Sequence, residues 1–148
     1  MRRILFAAAI LPLTAIAAQA ADSATAVLDH HVAMMKKGDL NGVLADYADN
    51  AVIVTPHGVA PGQKDVSGSD VFVGKANFRK LFVVLTDKDH VPGNKTMQTS
   101  YESIGPDTTL MRWVQFKGQP NQISGTDVWV IRDGKVLFQS VLVDAAKK

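Results

Sequence analysis

Two ionisable side chains keep apolar company in this sequence. Asp127 lies in ISGTDVWVIR, where alternation puts Ile123, Gly125, Asp127, Trp129 and Ile131 on one face of a strand. His31 lies on a helical stripe with Val27, Leu28 and Met35. A carboxyl in apolar surroundings keeps its proton to higher pH, so it can act as a general acid or hydrogen-bond donor near neutrality. An imidazole facing the same space could serve as the base. The two are the candidate catalytic residues of a reaction that moves a proton without a cofactor.

The neighbours of Asp127 depend on strand register. Asp133-Gly134 suits a two-residue hairpin turn, which would set Trp129 against Phe138 and Asp127 against Ser140. If GQPN closes with Gly118 opposite Asn121, Asp127 faces Arg112 on its other side, between Leu110 and Val114. Two roles are then open. Asp127 could be half of an ion pair with Arg112, its pKa depressed, or a pocket acid with its pKa raised. In the second case Arg112 and Ser140 would orient a ligand, with Trp129 in the pocket wall and Tyr47 offering its hydroxyl at the rim. His57, in the TPHG loop, could cover the mouth, although a solvated loop histidine is the commoner case. His30 with Met34 and His31 with Met35 have the spacing for copper ligands. No third ligand accompanies them, and methionine at helical spacing is usually core filler, so no metal site is expected.

The elements that must hold these residues begin after residue 20. MRRILFAAAILPLTAIAAQA has two arginines, an apolar run broken by Pro12 and an Ala18-Gln19-Ala20 cleavage pattern. It is short for a membrane span, so stable membrane insertion is not expected. Residues 1–20 read as a secretory signal, cleaved before Ala21, which implies a periplasmic or secreted protein. Without Arg2 and Arg3, basic residues only equal the 14 acidic ones, and no basic stripe suggests nucleic acid. There is no cysteine, so burial alone must stabilise the domain. Residues 21–148 suffice for a single domain with a workable core.

Periodicity predicts a helix over 22–37 ended by Gly38, and a second one capped by Asp39 with Leu40, Val43, Leu44 and Tyr47 inward. AVIVTP (51–56) predicts a strand stopped by Pro56. A glycine-rich stretch follows from His57 to Gly74, with a short strand at DVFVG. A third helix is expected from Lys75 to Thr86 and a loop at 87–94. Strands follow at 95–104, 108–118, 121–132 and 135–143, punctuated by GPD, GQPN and DG. Helices first and a meander of strands afterwards is an α+β pattern. A curved sheet wrapped around the helices would enclose a cavity.

GDLNGVLADYADNAVIVTPHG, VGKANFRKLF and DVWVIRDGKV together resemble the nuclear transport factor 2-like superfamily, in its SnoaL-like branch. The resemblance covers nearly all of 21–148. It implies a cystatin-like cone of antiparallel sheet around three N-terminal helices, a pocket within the cone and a homodimer through the outer sheet face. In the ketosteroid isomerases of this superfamily the oxyanion tyrosine matches His31 and the catalytic base matches Thr55, while the second pocket acid matches Asp127. Thr55 cannot act as a carboxylate base, so it is a candidate ligand contact and steroid isomerisation is not implied. FQSV (138–141) stands where SnoaL-like cyclases usually carry EHWD. Two functions remain open. One is a cofactor-free isomerase, lyase or cyclase acting on an apolar carbonyl-type compound held in the cone. The other is a non-catalytic ligand-binding or protein-interaction module.

Overall fold

The computed structural model of the chain describes residues 13–57 and 69–144, with side chains from residue 24 onward except Ser69. The first twelve residues of the expected signal and most of the glycine-rich stretch lie outside them. Helix α1 spans Leu13–Lys37 and α2 spans Leu40–Ala45. Strands β1 (Tyr47–Pro56) and β2 (Ser69–Val73) follow, then helices α3 (Lys75–Leu85) and α4 (Val91–Thr96). Four strands complete the chain: β3 (Gln98–Ser103), β4 (Thr108–Gln115), β5 (Ile123–Arg132) and β6 (Lys135–Val143). They form a six-stranded sheet in the order β2-β1-β6-β5-β4-β3.

The fold is α+β, with the helices covering one face of the sheet. The sheet is mixed rather than wholly antiparallel, because β1 runs parallel to β6. Gly38, at φ 71°, ends α1 as expected, and its N–H and that of Asp39 return to Met35 and Met34 carbonyls. Asp39 caps α2 by accepting the Gly42 N–H at 2.9 Å. Tyr47 is not helical: α2 stops at Ala45, and Tyr47 opens a β1 that starts earlier than AVIVTP. A fourth helix occupies the expected 87–94 loop and the start of the next strand. Buried Asn94 anchors it, donating to the Leu85 carbonyl at 2.7 Å and the Met35 carbonyl at 3.2 Å while accepting from Gln115 at 3.0 Å. One side chain thus satisfies the ends of two helices.

The core lies between α1, α2 and α3 and the inner sheet face. Leu28, Tyr47, Ile53, Phe78, Leu81, Trp129 and Val136 are almost wholly buried. Burying each of the aliphatic and phenylalanine side chains among them stabilises the fold by roughly 1.5–3 kcal/mol.

Two register details decide which side chains reach the cavity. Asp133 and Gly134 both have positive φ, 52° and 70°, so the expected hairpin turn forms with Arg132 opposite Lys135. Beyond Ile131 and Val136 the ladder shifts, and Val130 pairs with Phe138. Leu137 is therefore an extra residue, a β-bulge, and every later β6 side chain changes face. The β4–β5 connection is also wider than GQPN. It takes residues 116–122, with Phe116 and Gly118 at positive φ, and leaves Gln115 opposite Ile123.

Candidate functional site

Both shifts act on Asp127. Its cross-strand neighbours are Met111 on β4 and Val141 on β6, not Arg112 and Ser140. Arg112 pairs in register with Thr126, and Ser140 with Val128, so both belong to the outer face. Arg112 bonds Glu102 at 2.8 Å there, with both side chains about half exposed. Of the two roles left open for Asp127, the ion pair with Arg112 therefore does not exist.

Asp127 instead sits in a neutral hydrogen-bond network. Trp113 donates its Nε1–H to Oδ1 at 2.8 Å, and Gln139 donates its Nε2–H to Oδ2 at 2.9 Å. Tyr47 donates its hydroxyl to Gln139 Oε1. The acceptor at Oε1 fixes the amide so that its N–H₂ must face the carboxylate. Burial pushes the Asp127 carboxyl up to about 6, against the two hydrogen bonds, which favour the ionised form. Burial and the nearby carboxylates push Tyr47 well above its ordinary range, so it remains a donor.

Room for Trp113 comes from Gly125, its partner across the ladder. A Cβ at Gly125 would lie 2.5 Å from Trp113 Cζ2 and 2.3 Å from the Leu142 carbonyl oxygen. The glycine in the Asp127 row is thus the space that the indole fills to reach the carboxylate.

Asp127, Trp113 and Gln139 line a cavity of about 250 Å³ enclosed by α1, α3, α4 and the inner face of β4–β6. Phe82, Leu85, Met97, Met111 and Val141 make much of its apolar wall. His31 also borders it, bringing the two candidate catalytic residues to one space. The His31 ring makes edge contacts with Tyr47, Phe82 and Trp129. Burial, helped by His30, pushes its pKa down to about 3, so the ring is neutral at physiological pH. Its Nδ1 is sealed and without a hydrogen bond, 3.7 Å from Asp46 Oδ2.

The remaining expected contacts lie elsewhere. Trp129 is wholly buried in the core behind the cavity, its Nε1 unpaired. Tyr47 is likewise core and reaches the site through its hydrogen bond to Gln139 and its edge contact with the His31 ring. Thr55 is buried on β1 with its hydroxyl donating to the Pro56 carbonyl, and His57 meets Asp70 at 2.8 Å. Neither borders the cavity. A second hollow of about 330 Å³ lies over the outer side of β3–β5, around Ser100, Arg112 and Thr126. It is open to solvent, and its charged groups are exposed.

Gln139, Trp113 and Asp46 were missed as site residues by sequence reasoning. A tryptophan that meets a glycine across a predicted hairpin was the available signal for Trp113. Gln139 had none, because the bulge that turns it inward leaves no mark on composition.

No protein-family model matches the sequence, and no curated protein matches it. Solved structures do. The chain is similar to a nuclear transport factor 2-like protein of unknown function from Burkholderia xenovorans LB400, at 15% identity and TM-score 0.61, covering 88% of this chain and 89% of that one. It is similar to SalBIII, an epoxide hydrolase/cyclase-like enzyme with a role in pyran ring formation in the polyether salinomycin, at 18% identity and TM-score 0.59, covering 84% and 92%. It is also similar to a de novo designed protein with a curved β-sheet, at 14% identity and TM-score 0.61, covering 83% and 86%. The fold is the nuclear transport factor 2-like one.

Proposed function

We propose that the cavity binds a compact apolar carbonyl compound and that Asp127 takes a proton from the carbon beside its carbonyl. The observation that carries this reading is a buried carboxyl, pushed up to about 6 and bordering an apolar cavity with no cationic partner. At neutral pH it is largely ionised, yet its proton affinity is well above that of an ordinary aspartate, which suits a general base. The roles expected from sequence are exchanged. His31, held neutral by burial, is a weak base and serves as a hydrogen-bonding partner of the ligand. Proton abstraction next to a carbonyl is the first step open to an isomerase, a lyase or a cyclase. The relationship to SalBIII supports that class through fold alone. A cavity of about 250 Å³ is below the ~300–1,000 Å³ of pockets for drug-sized ligands, which favours a one- or two-ring compound.

Deuterium wash-in at the methyl group of acetophenone, followed by proton NMR, tests the reading. The protein should accelerate exchange over buffer, and Asp127→Asn should lower that rate by ~10²–10⁴-fold. Binding without exchange would support the non-catalytic module instead. Neither binding nor exchange would end both readings.

The outer sheet face suits a second copy of this chain. Val52, Val54, Val128, Val130 and Phe138 form adjacent apolar positions on it, and Val71, Val73 and Leu142 are more than half exposed. Sedimentation of the parent and Leu142→Lys would test this, with a shift from dimer to monomer expected. Export is also proposed. The described core residues of α1, from Ala24 to Met35, all follow Ala21, so cleavage before Ala21 would spare them. N-terminal sequencing of the protein from a secreting host reads the cleavage site.

A further inference from the structure

The carboxylate of Asp46 lies between two adjacent histidines of different exposure. Its Oδ1 meets His30 Nδ1 at 2.7 Å, where the His30 side chain is 48% exposed. Its Oδ2 has no hydrogen bond and faces His31 Nδ1, itself unpaired, at 3.7 Å. Lys135 is nearby on β6, its ammonium bound to the Ala45 carbonyl at 2.7 Å. The Asp46 backbone is pinned as well, since its carbonyl accepts the Val136 N–H at 2.9 Å. His30 thus fixes one carboxylate oxygen and turns the other toward the core.

A neutral imidazole carries one N–H and one lone pair, and the group facing one nitrogen selects which it is. At the sealed Nδ1, an N–H pointing at a carboxylate oxygen is attractive, whereas a lone pair there would repel it. The proton therefore belongs on Nδ1. The other ring nitrogen, Nε2, is not among the enclosed unpaired atoms, and the ring borders the cavity. Its lone pair is then the hydrogen-bonding group that His31 presents to a ligand.

We infer that Asp46, held by His30, is a positioning residue that fixes His31 as a hydrogen-bond acceptor in the cavity, so that the ligand is a hydroxy-carbonyl compound whose hydroxyl donates to His31 Nε2. This rests on the carbonyl reading above and narrows it. Asp127 and His31 then offer two acceptors, one for the acidic C–H and one for the O–H. A plain ketone would leave the His31 lone pair buried and unpaired, which costs affinity.

Long-range proton–nitrogen NMR of the full chain at neutral pH reads the tautomer directly. Protonated Nδ1 and bare Nε2 at His31 are expected, and protonated Nε2 would overturn the inference. Ligand binding gives the second readout, with α-hydroxyacetophenone against α-methoxyacetophenone, whose ether oxygen cannot donate. The wild-type protein should bind the hydroxyl compound about tenfold more tightly. Asp46→Asn should lose that preference, because its amide can donate to Nδ1 and move the ring proton to Nε2. His31→Phe, which suits the surrounding aromatic cluster, should lose it too. Equal wild-type affinities would overturn this inference alone. Failure of both ketones to bind would overturn it together with the carbonyl reading. No turnover is needed for either readout, so an inert Asp127 leaves both interpretable.

Discussion

Gln139 gives its Nε2–H to Asp127 Oδ2 at 2.9 Å because the Tyr47 hydroxyl occupies its Oε1. An amide has one donor end and one acceptor end, so fixing one end orients the other. Tyr47 lies on β1, Gln139 on β6 and Asp127 on β5. A residue with no contact to the cavity thereby sets the charge environment of its only buried carboxylate among the described lining residues.

Tyr47→Phe should release that amide. Gln139 Oε1 would be left buried without a donor, at a cost of about 1–3 kcal/mol. The amide could then turn its oxygen toward Asp127, which favours the protonated carboxyl. Chemical denaturation should register the stability loss, and carbon NMR of the Asp127 carboxyl should show its pKa rising above about 6. An unchanged titration would mean that Tyr47 does not orient the amide.

The pKa of Asp127 makes stability depend on pH with a definite sign. The folded protein holds this proton more tightly than the unfolded chain, since burial raises the pKa from 3.8 to about 6. The stabilisation is fully present below 3.8 and is lost as pH rises through about 6. The loss is on the order of 3 kcal/mol at about 1.4 kcal/mol per pKa unit. Asp127→Asn should remove this dependence. Its amide meets the Gln139 donor with a second donor, which offsets the gain in part, so a net rise of about 1–2 kcal/mol at pH 8 is expected. Urea denaturation of both proteins at pH 4 and pH 8 checks it, because other titrating groups cancel in the difference. A fall at pH 8 would contradict a stored charge at this position.

Arg112→Ala gives the contrast. The Arg112–Glu102 pair is about half exposed, and exposed pairs contribute about 0–1 kcal/mol. Thermal melts should move by no more than that, and the Asp127 titration should stay where it is. A loss of several kcal/mol would return Arg112 to the buried brace that the register excludes.

Much of the architecture was legible because its signals are local. Gly38, Asp39 and Asp133-Gly134 mark ends and turns by chemistry that acts within a few residues. Asp127 on a buried face was legible from alternation. Its partners were not. The outer face of β4, with Leu110 and Val114, is as apolar as the inner face, so hydrophobicity does not say which parity points inward. The bulge at Leu137 and the wide 116–122 connection each move register by one residue, and one residue exchanges faces. Arg112 and Ser140 left the site and Trp113 and Gln139 entered it for that reason alone. Asp46 was hidden differently, because its role depends on how α2 docks on α1.

Gly125→Ala tests the geometry that puts Trp113 on Asp127. The added Cβ would stand 2.3 Å from the Leu142 carbonyl oxygen and 2.5 and 2.8 Å from two atoms of the indole. The carbonyl belongs to a paired strand, and no side-chain rotation relieves that contact. Either β5 and β6 separate locally or the methyl group pushes Trp113 away. Overpacking of this kind costs about 1–3 kcal/mol, and a clash with backbone should fall at the upper end. Displacing the indole also removes a hydrogen bond that lowers the Asp127 pKa, so the carboxyl should titrate above about 6. Melts and carboxyl NMR on the same sample read both effects. A destabilised protein with an unmoved Asp127 titration would mean that the strain falls on the strands alone and that Trp113 keeps its hold on the carboxylate.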